Sequence, residues 1–312
     1  MRMAVLSVLV TVLATVGLAG PAHARPAPRS AAAITSPAAS AEAALGAEAA
    51  PGAASAEAGA TAGKAAVTAE EAYLVDITSG TVEYARRQTR RVPVASLTKI
   101  MTAYVVRRSA SLGDVVTISK TDVRYAAANG ATHAGLRAGE RLTVRELLYA
   151  LLLPSGADAA SALARRYGPG VKGFVAKMNG AARALGMRDT LYTNADGLPK
   201  PGGDRSTAQD QVLLARAAMA DPVITTVART ERHATAKTAV HRAHVWRNTN
   251  RLLPTEAQGL KTGYTRPAGY CLMFTSLRGG HTLVGVVLGD KSDAARYRSA
   301  RGLLDGATAN GL

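Results

Sequence analysis

From about Arg25 to Lys64 the chain is Ala, Pro, Ser and Gly with a few Glu, and that run decides which residues can build a core. It carries too little apolar bulk to offset the entropy of ordering it, and Pro and Gly interrupt any Ala-rich helix. Residues 25–65 therefore read as a flexible linker, with folded sequence from 66 to 312. Ahead of it, Arg2, an uncharged apolar run from Ala4 to Ala19 and the small residues of Ala22-His23-Ala24 read as a signal peptide, residues 1–24. A retained membrane anchor is the alternative, but the run is short against the roughly 20 apolar residues of a spanning helix, and Pro21 ends it. With aromatics at 4% and hydrophobic residues at 47%, the core must be built from Ala, Val and Leu. Cys271 is the only cysteine, so no internal disulfide supports the fold. It sits in the strand-like run Gly269 to Phe274 and reads as a buried small hydrophobe.

Periodicity places the elements. Ala72–Asp76 and Val82–Ala85 read as a hairpin around Thr78-Ser79-Gly80. Helical patterns follow from Ser96 to about Arg108, then in two runs from Thr143 to Tyr167 broken at Pro154-Ser155-Gly156, then over Val171–Leu185 and Thr207–Ala220. Strand patterns return at Gly259–Thr265, Tyr270–Ser276 and Thr282–Leu288, and a last amphipathic helix covers Asp293–Leu304. Strands, helices, then strands and a helix predict an α+β fold, a helical block inserted into an antiparallel sheet.

The formal charge of +16 suits a polyanionic neighbour. Lys and Arg are scattered rather than clustered with stacking aromatics, which argues against nucleic acid. In an exported protein the matching surfaces are anionic cell-wall polymers or lipids.

The chemistry converges on Ser96-Leu97-Thr98-Lys99. On a helix, positions i and i+3 share a face, so the Lys99 amine can reach the Ser96 hydroxyl. A desolvated lysine loses basicity and can take the serine proton. The motif alone also fits an N-cap serine with an exposed lysine, so context decides. Lys261-Thr262-Gly263 lies in a strand pattern, its glycine permits close approach of a backbone or substrate, and Lys261 and Thr262 suit a carboxylate. Ser155-Gly156 sits in a helix-to-helix loop able to project a hydroxyl into a cleft. His233, His241 and His244 precede Trp246, but no Cys or well-placed carboxylate completes a metal site, so hydrogen-bonded or solvated histidines are expected. His133 in a Gly-rich loop has no assignment.

These residues resemble the low-molecular-mass penicillin-binding proteins, the serine-type D-alanyl-D-alanine carboxypeptidases of peptidase family S11, whose fold is shared with class A β-lactamases. The likeness extends over Pro93–Ala103, Leu151–Gly156, Asp158–Ala160, Thr193–Pro199, Ser206-Thr207-Ala208, Asn248-Thr249-Asn250 and Gly259–Thr265. It implies that Ser96 attacks the penultimate D-Ala carbonyl of a peptidoglycan stem peptide, with Lys99 as general base and Ser155 passing a proton to the leaving amine. Lys261 would set the electrostatics, Thr262 would bind the terminal carboxylate, and Gly263 completes the strand motif. The backbone N–H groups of Ser96 and Tyr264 would form the oxyanion hole. β-Lactams would acylate the same serine, and neither metal nor organic cofactor is implied.

Two departures from the family pattern stand out. Position 157 is Ala where the second motif usually ends in Asn, which implies a slower or differently selective enzyme. On the last strand, His281-Thr282 stands where relatives often carry an Arg beside the threonine of the third motif. A transpeptidase shares the acyl-enzyme and stays open beside the carboxypeptidase. A β-lactamase lacks its deacylation glutamate here, and a wall-binding pseudoenzyme has no need of Ser96 and Lys99. The extra C-terminal domain and amphipathic anchor of some relatives are not expected, the last helix running almost to Leu312.

Overall fold

The computed structural model describes residues 66–200 and 202–309, so the signal peptide and linker expected over 1–65 lie outside the described residues. In chain order, β1 (Glu71–Asp76) and β2 (Val82–Arg86) open the domain, and a 3-10 turn (Ala95–Leu97) leads into α1 (Thr98–Arg107). Then come β3 (Val115–Thr117), α2 (Lys120–Ala128), β4 (Arg141–Thr143), α3 (Val144–Leu152), α4 (Ala157–Tyr167) and α5 (Gly170–Ala184). α6 (Ala208–Met219), α7 (Pro222–Arg229), β5 (Arg232–Thr235) and β6 (His244–Arg247) precede β7 (Leu260–Thr265), β8 (Gly269–Arg278), β9 (His281–Asp290) and α8 (Asp293–Ala309).

The main sheet is antiparallel and five-stranded in the order β2-β1-β9-β8-β7, with every helix except α8 falling between β2 and β7 in the chain. This is the expected α+β arrangement with an inserted helical block. β8 and β9 read as nearly continuous apolar runs because both faces are covered. Leu272, Phe274, Leu283 and Val287 pack against Tyr297, Ala300, Leu303 and Leu304 of α8. Cys271, Met273, Val284, Val286 and Leu288 belong instead to the core shared with the helical block. Gly285 in β9 is required by its partner: a Cβ there would lie 2.2 Å from Phe274 Cζ, so the ring fills the space a side chain would take.

α1 runs through the centre of the helical block, with every residue from Thr98 to Val106 buried. Such a helix must satisfy its polar members internally. The segment between α5 and α6 does this: Thr102 Oγ1 donates to Ala195 O at 2.7 Å, and Thr98 Oγ1 to Asp204 Oδ2 at 3.3 Å. The structure differs from the sequence expectation mainly where elements are short. Residues 109–142, unassigned from periodicity, hold the β3–β4 ribbon and α2, whose N-terminus is closed by a Ser119/Asp122 capping box. α7 starts at an Asp221 N-cap followed by Pro222, and the histidine-bearing stretch folds into the β5–β6 hairpin.

Candidate active site

α1 begins at Thr98 rather than Ser96, because Ala95–Leu97 forms a 3-10 turn in which Ala95 takes φ 49°. That left-handed conformation costs a non-glycine residue about 1 kcal/mol or more. It is held from two sides by glycines. A Cβ on Gly197 would meet Ala95 O at 1.8 Å, and one on Gly263 would lie 3.1 Å from Ser96 N. Edge strand β7 and the Asn194–Leu198 turn therefore close directly on the backbone of the Ser96 turn. The turn itself is built by Asn194, whose Oδ1 accepts the N–H groups of Asp196 and Gly197 at 3.0 and 2.6 Å.

Lys99 is 1% exposed, and its Nζ donates to Ser96 Oγ at 3.0 Å and to the Asp196 carbonyl at 2.9 Å. Burial lowers its pKa from the ordinary lysine value, opposed by the nearby carboxylates of Asp196, Asp158 and Asp204. Asp196 Oδ1 in turn accepts from the Tyr125 hydroxyl at 3.2 Å. Ser96, only partly buried, is thus hydrogen-bonded to an amine with a weakened hold on its proton, the arrangement of an activated nucleophile and base.

Ser155 lies between α3 and α4 with φ 65°, a second strained non-glycine backbone at this site, and its Oγ is buried without a hydrogen-bond partner among the described residues. Its turn is pinned from the segment before β4: Thr132 Oγ1 donates to Ser155 O at 2.8 Å, and Thr132 O accepts from Ala157 N at 2.9 Å. Asp158 completes the clamp by accepting the N–H groups of Ala134 and Leu136 at 2.8 and 3.0 Å. Ala157 is fully buried at the start of α4 and brings no polar group to the site.

β7 contributes the remaining predicted residues. Lys261 is 1% exposed and its Nζ has no hydrogen-bond partner among the described residues. Burial, then the charges of Lys99 and Arg296, push its pKa well below the ordinary lysine value. Thr262 Oγ1 lies 2.6 Å from Thr249 Oγ1, and Thr249 N donates to Leu153 O at 3.2 Å, which ties β7 to the Ser155 turn. Tyr264 is 54% exposed and its ring packs on Tyr270 at 4.3 Å between centroids.

The reading of His281 requires correction. It stands at the β8–β9 hairpin opposite Arg278, and its Nδ1 lies 2.8 Å from Asp76 Oδ2, at the far end of the sheet from Thr262. The cation beside β7 comes from α8. Arg296, 7% exposed, donates to the Gly263 carbonyl at 3.0 Å and to Cys271 O at 3.3 Å. Sequence reasoning missed it because an arginine in an amphipathic terminal helix carries no signature of burial. Asp196, in the turn between α5 and α6, and Tyr125, on α2, also escaped because only tertiary contact brings them to Lys99, although Asp196 falls inside a stretch that was singled out. Of the histidines in the β5–β6 hairpin, His233 and His244 stack on aromatic rings and His241 Nδ1 lies 2.8 Å from Arg242 O, and among the described residues no group of His, Cys, Asp and Glu gathers as a metal site.

A serine hydroxyl bonded by a buried lysine, with a second buried lysine on the edge strand beside it, is an arrangement chemically suited to serine acyl transfer. A family model described as D-alanyl-D-alanine carboxypeptidase, peptidase S11, matches residues 58–292. A D-alanyl-D-alanine carboxypeptidase of Streptomyces sp. strain K15 is 39% identical over 257 residues, covering 78% of this chain and 88% of the relative. DacF of Bacillus subtilis is 31% identical, and the match spans 76% of this chain but only 61% of that longer protein. Among solved structures, the Streptomyces K15 DD-transpeptidase shares 38% identity at a TM-score of 0.75, covering 79% of this chain and 99% of that one. A D-alanyl-D-alanine carboxypeptidase from Mycobacterium tuberculosis shares 31% at 0.73, covering 82% of this chain and 95% of that one. The chain belongs to the D-alanyl-D-alanine carboxypeptidase family, serine peptidases that act on peptidoglycan peptides and bind β-lactams.

The unpartnered Lys261 amine is a cost to the fold, about 1–3 kcal/mol for a buried donor without an acceptor. Lys261→Met should therefore raise the urea midpoint at neutral pH while lowering acylation by a β-lactam. Its pH signature follows from linkage. With the folded pKa depressed, the unfolded chain binds more protons between that value and the ordinary 10.5. Stability then rises with pH through the window, and the Met variant should show a flatter rise as the pH climbs towards the ordinary lysine value. A variant less stable than wild type at neutral pH would refute this account.

Proposed function

We propose that Ser96 is the acylated nucleophile of a D-Ala-D-Ala carboxypeptidase, with Lys99 as its base; the 3.0 Å bond from Lys99 Nζ to Ser96 Oγ carries the reading. Lys99 takes the Ser96 proton as Oγ attacks the penultimate D-Ala carbonyl. Ser155, its hydroxyl free of other partners, hands a proton to the leaving D-Ala amine. The Ser96 and Tyr264 N–H groups hold the oxyanion, and each such donor typically contributes about 3 kcal/mol to the transition state. The terminal carboxylate lies against Lys261 and Thr262, with Arg296 behind β7. It supplies Lys261 with the counter-charge that its buried amine lacks. A Lys261 cation so stabilised then disfavours a proton on neighbouring Lys99 and holds it ready as a base.

Water or an acceptor amine resolves the acyl-enzyme. The relatives carry both names, since a Streptomyces K15 protein is a carboxypeptidase and a solved structure from that source is a DD-transpeptidase. The domain plan is an exported one: residues 1–24 as signal peptide, 25–65 as linker, and 66–312 as catalytic domain facing the wall. No helix among the described residues is long and apolar enough to cross a membrane. An anionic wall or membrane surface, rather than nucleic acid, is the neighbour of the +16 chain. Two surface grooves carry surplus arginine, one lined by Arg232, Arg247 and Arg251 with Glu231, and the other by Arg251, Arg298 and Arg301, of which Arg251 and Arg301 are ion-paired with Asp293 and Glu256.

Three outcomes test this reading. The protein lacking its first 24 residues should gain one benzylpenicillin adduct by intact mass, and Ser96→Ala should gain none. Ala157→Asn restores a hydrogen-bonding side chain beside Ser155 and should raise the second-order acylation rate about tenfold, the value of one recovered buried hydrogen bond. No gain would dismiss position 157 as the brake. Binding to purified cell walls, followed by co-sedimentation, should fall steeply between about 0.05 M and about 0.5 M NaCl as the Debye length shrinks. Salt-insensitive binding would remove the anionic surface as partner.

A further inference from the structure

A cavity of about 300 Å³ opens beside the Ser96 turn, lined by Ala95, by Leu198 and Lys200 of the following turn, by Arg205, and by Thr265 and Pro267 past the end of β7. Its position along β7 sets which part of a substrate can reach it. With the terminal carboxylate at Lys261 and Thr262 and the scissile carbonyl at Tyr264, the donor's upstream residues must run on past Thr265. β7 is an edge strand, so an extended donor can lie along it at about 3.3 Å per residue. The residue before the two D-alanines then arrives at the mouth of this cavity.

The cavity is basic. Arg91 also lines it and is ion-paired with Asp189, while Lys200 and Arg205 are exposed and make no ion pair among the described residues. The one acid in the wall, Asp204, is turned inward: it accepts from Thr193 N and Thr193 Oγ1, each at 2.6 Å, and is 7% exposed. Two uncompensated cations at the end of the donor's path select for negative charge.

We propose that this cavity is a subsite for a side-chain carboxylate on the donor residue third from the C-terminus, held by Lys200 and Arg205. The proposal rests on Ser96 as nucleophile and extends that reading to the choice of stem peptide. A donor bearing a carboxylate at this position is preferred over its carboxamide, and over one bearing an amine.

The test uses three donors, acetyl-(2-aminoadipyl)-D-Ala-D-Ala, its side-chain amide and the acetyl-lysyl analogue, with D-Ala release giving kcat/KM and the preference read as the ratio of the carboxylate donor to either of the others. The wild-type ratio should be about tenfold in favour of the carboxylate, the sum expected of two part-exposed ion pairs, and should shrink with added salt. In Lys200→Gln/Arg205→Gln the ratio should fall to about one. In Lys200→Glu/Arg205→Glu it should invert towards a lysyl donor, a result that general damage to the fold does not produce. A wild-type ratio of one, or a ratio unchanged in the double Gln variant, overturns the subsite. The benzylpenicillin adduct, measured on the same preparations, separates the two failures. If it forms while the ratio is one, the subsite fails and the acyl-transfer reading stands. If neither adduct nor D-Ala release occurs in wild type, the nucleophile assignment falls and the subsite with it.

Discussion

The removal of Lys99 from water organises everything around it. An ammonium held dry on a central helix carries a penalty of several kcal/mol unless its surroundings answer it. Here they answer only in part. One carbonyl and one serine hydroxyl accept from Nζ, and three carboxylates stand near without a direct ion pair. A full salt bridge would hold the proton on Lys99 too tightly for a base, and no compensation would be ruinous to the fold. Lys261 is buried with even less support, so the site keeps two amines whose protonation a bound carboxylate can alter. That is stability withheld for function.

The same trade is visible in the backbone. Ala95 and Ser155 take left-handed conformations at φ 49° and 65°, and each flanks a predicted catalytic position or is one. Neither strain persists by itself. Gly197 and Gly263 both press on the Ser96 turn: a side chain at 197 would collide with main chain, and one at 263 would sit tightly against it. The Ser155 turn is held through Thr132, Asp158 and the Thr249–Thr262 contact. The Asn194 turn, the edge strand and the segment before β4 are thus parts of one clamp, though they are far apart in sequence.

Much of this was legible in the residues, for reasons that differ by element. Long periodic helices and apolar strands were found because one buried stripe, or two covered faces, writes itself into many positions. Ser96, Lys99, Ser155 and the strand Lys261–Tyr264 were singled out by short motifs whose weight came from a resemblance spread over several stretches of the chain. What escaped was set by tertiary contact alone. The β3–β4 ribbon is too short for a period, although Ser119-x-x-Asp122 announced α2 to anyone reading caps. Arg296 reaches β7 only because α8 crosses the sheet, and His281 was misplaced because its strand position was judged without the register that puts it opposite Arg278.

The histidines of the β5–β6 hairpin show how a stretch that looked empty serves the site at one remove. His233 stacks on Tyr149 at 3.7 Å, with Trp246 beyond it and His244 5.1 Å further along. Imidazoles suit such a column, because burial favours their neutral form and a neutral ring stacks without a desolvation cost. Trp246 Nε1 then donates to Ala134 O at 2.8 Å, while Asp158 takes the Ala134 N–H, so the residue is held from both sides. The segment that clamps Ser155 is therefore braced by the hairpin, and an arginine in place of His244 would bring a fixed charge into a site that is 5% exposed. In a chain so rich in Arg, histidine here marks where the protein needs a flat polar ring without a permanent charge.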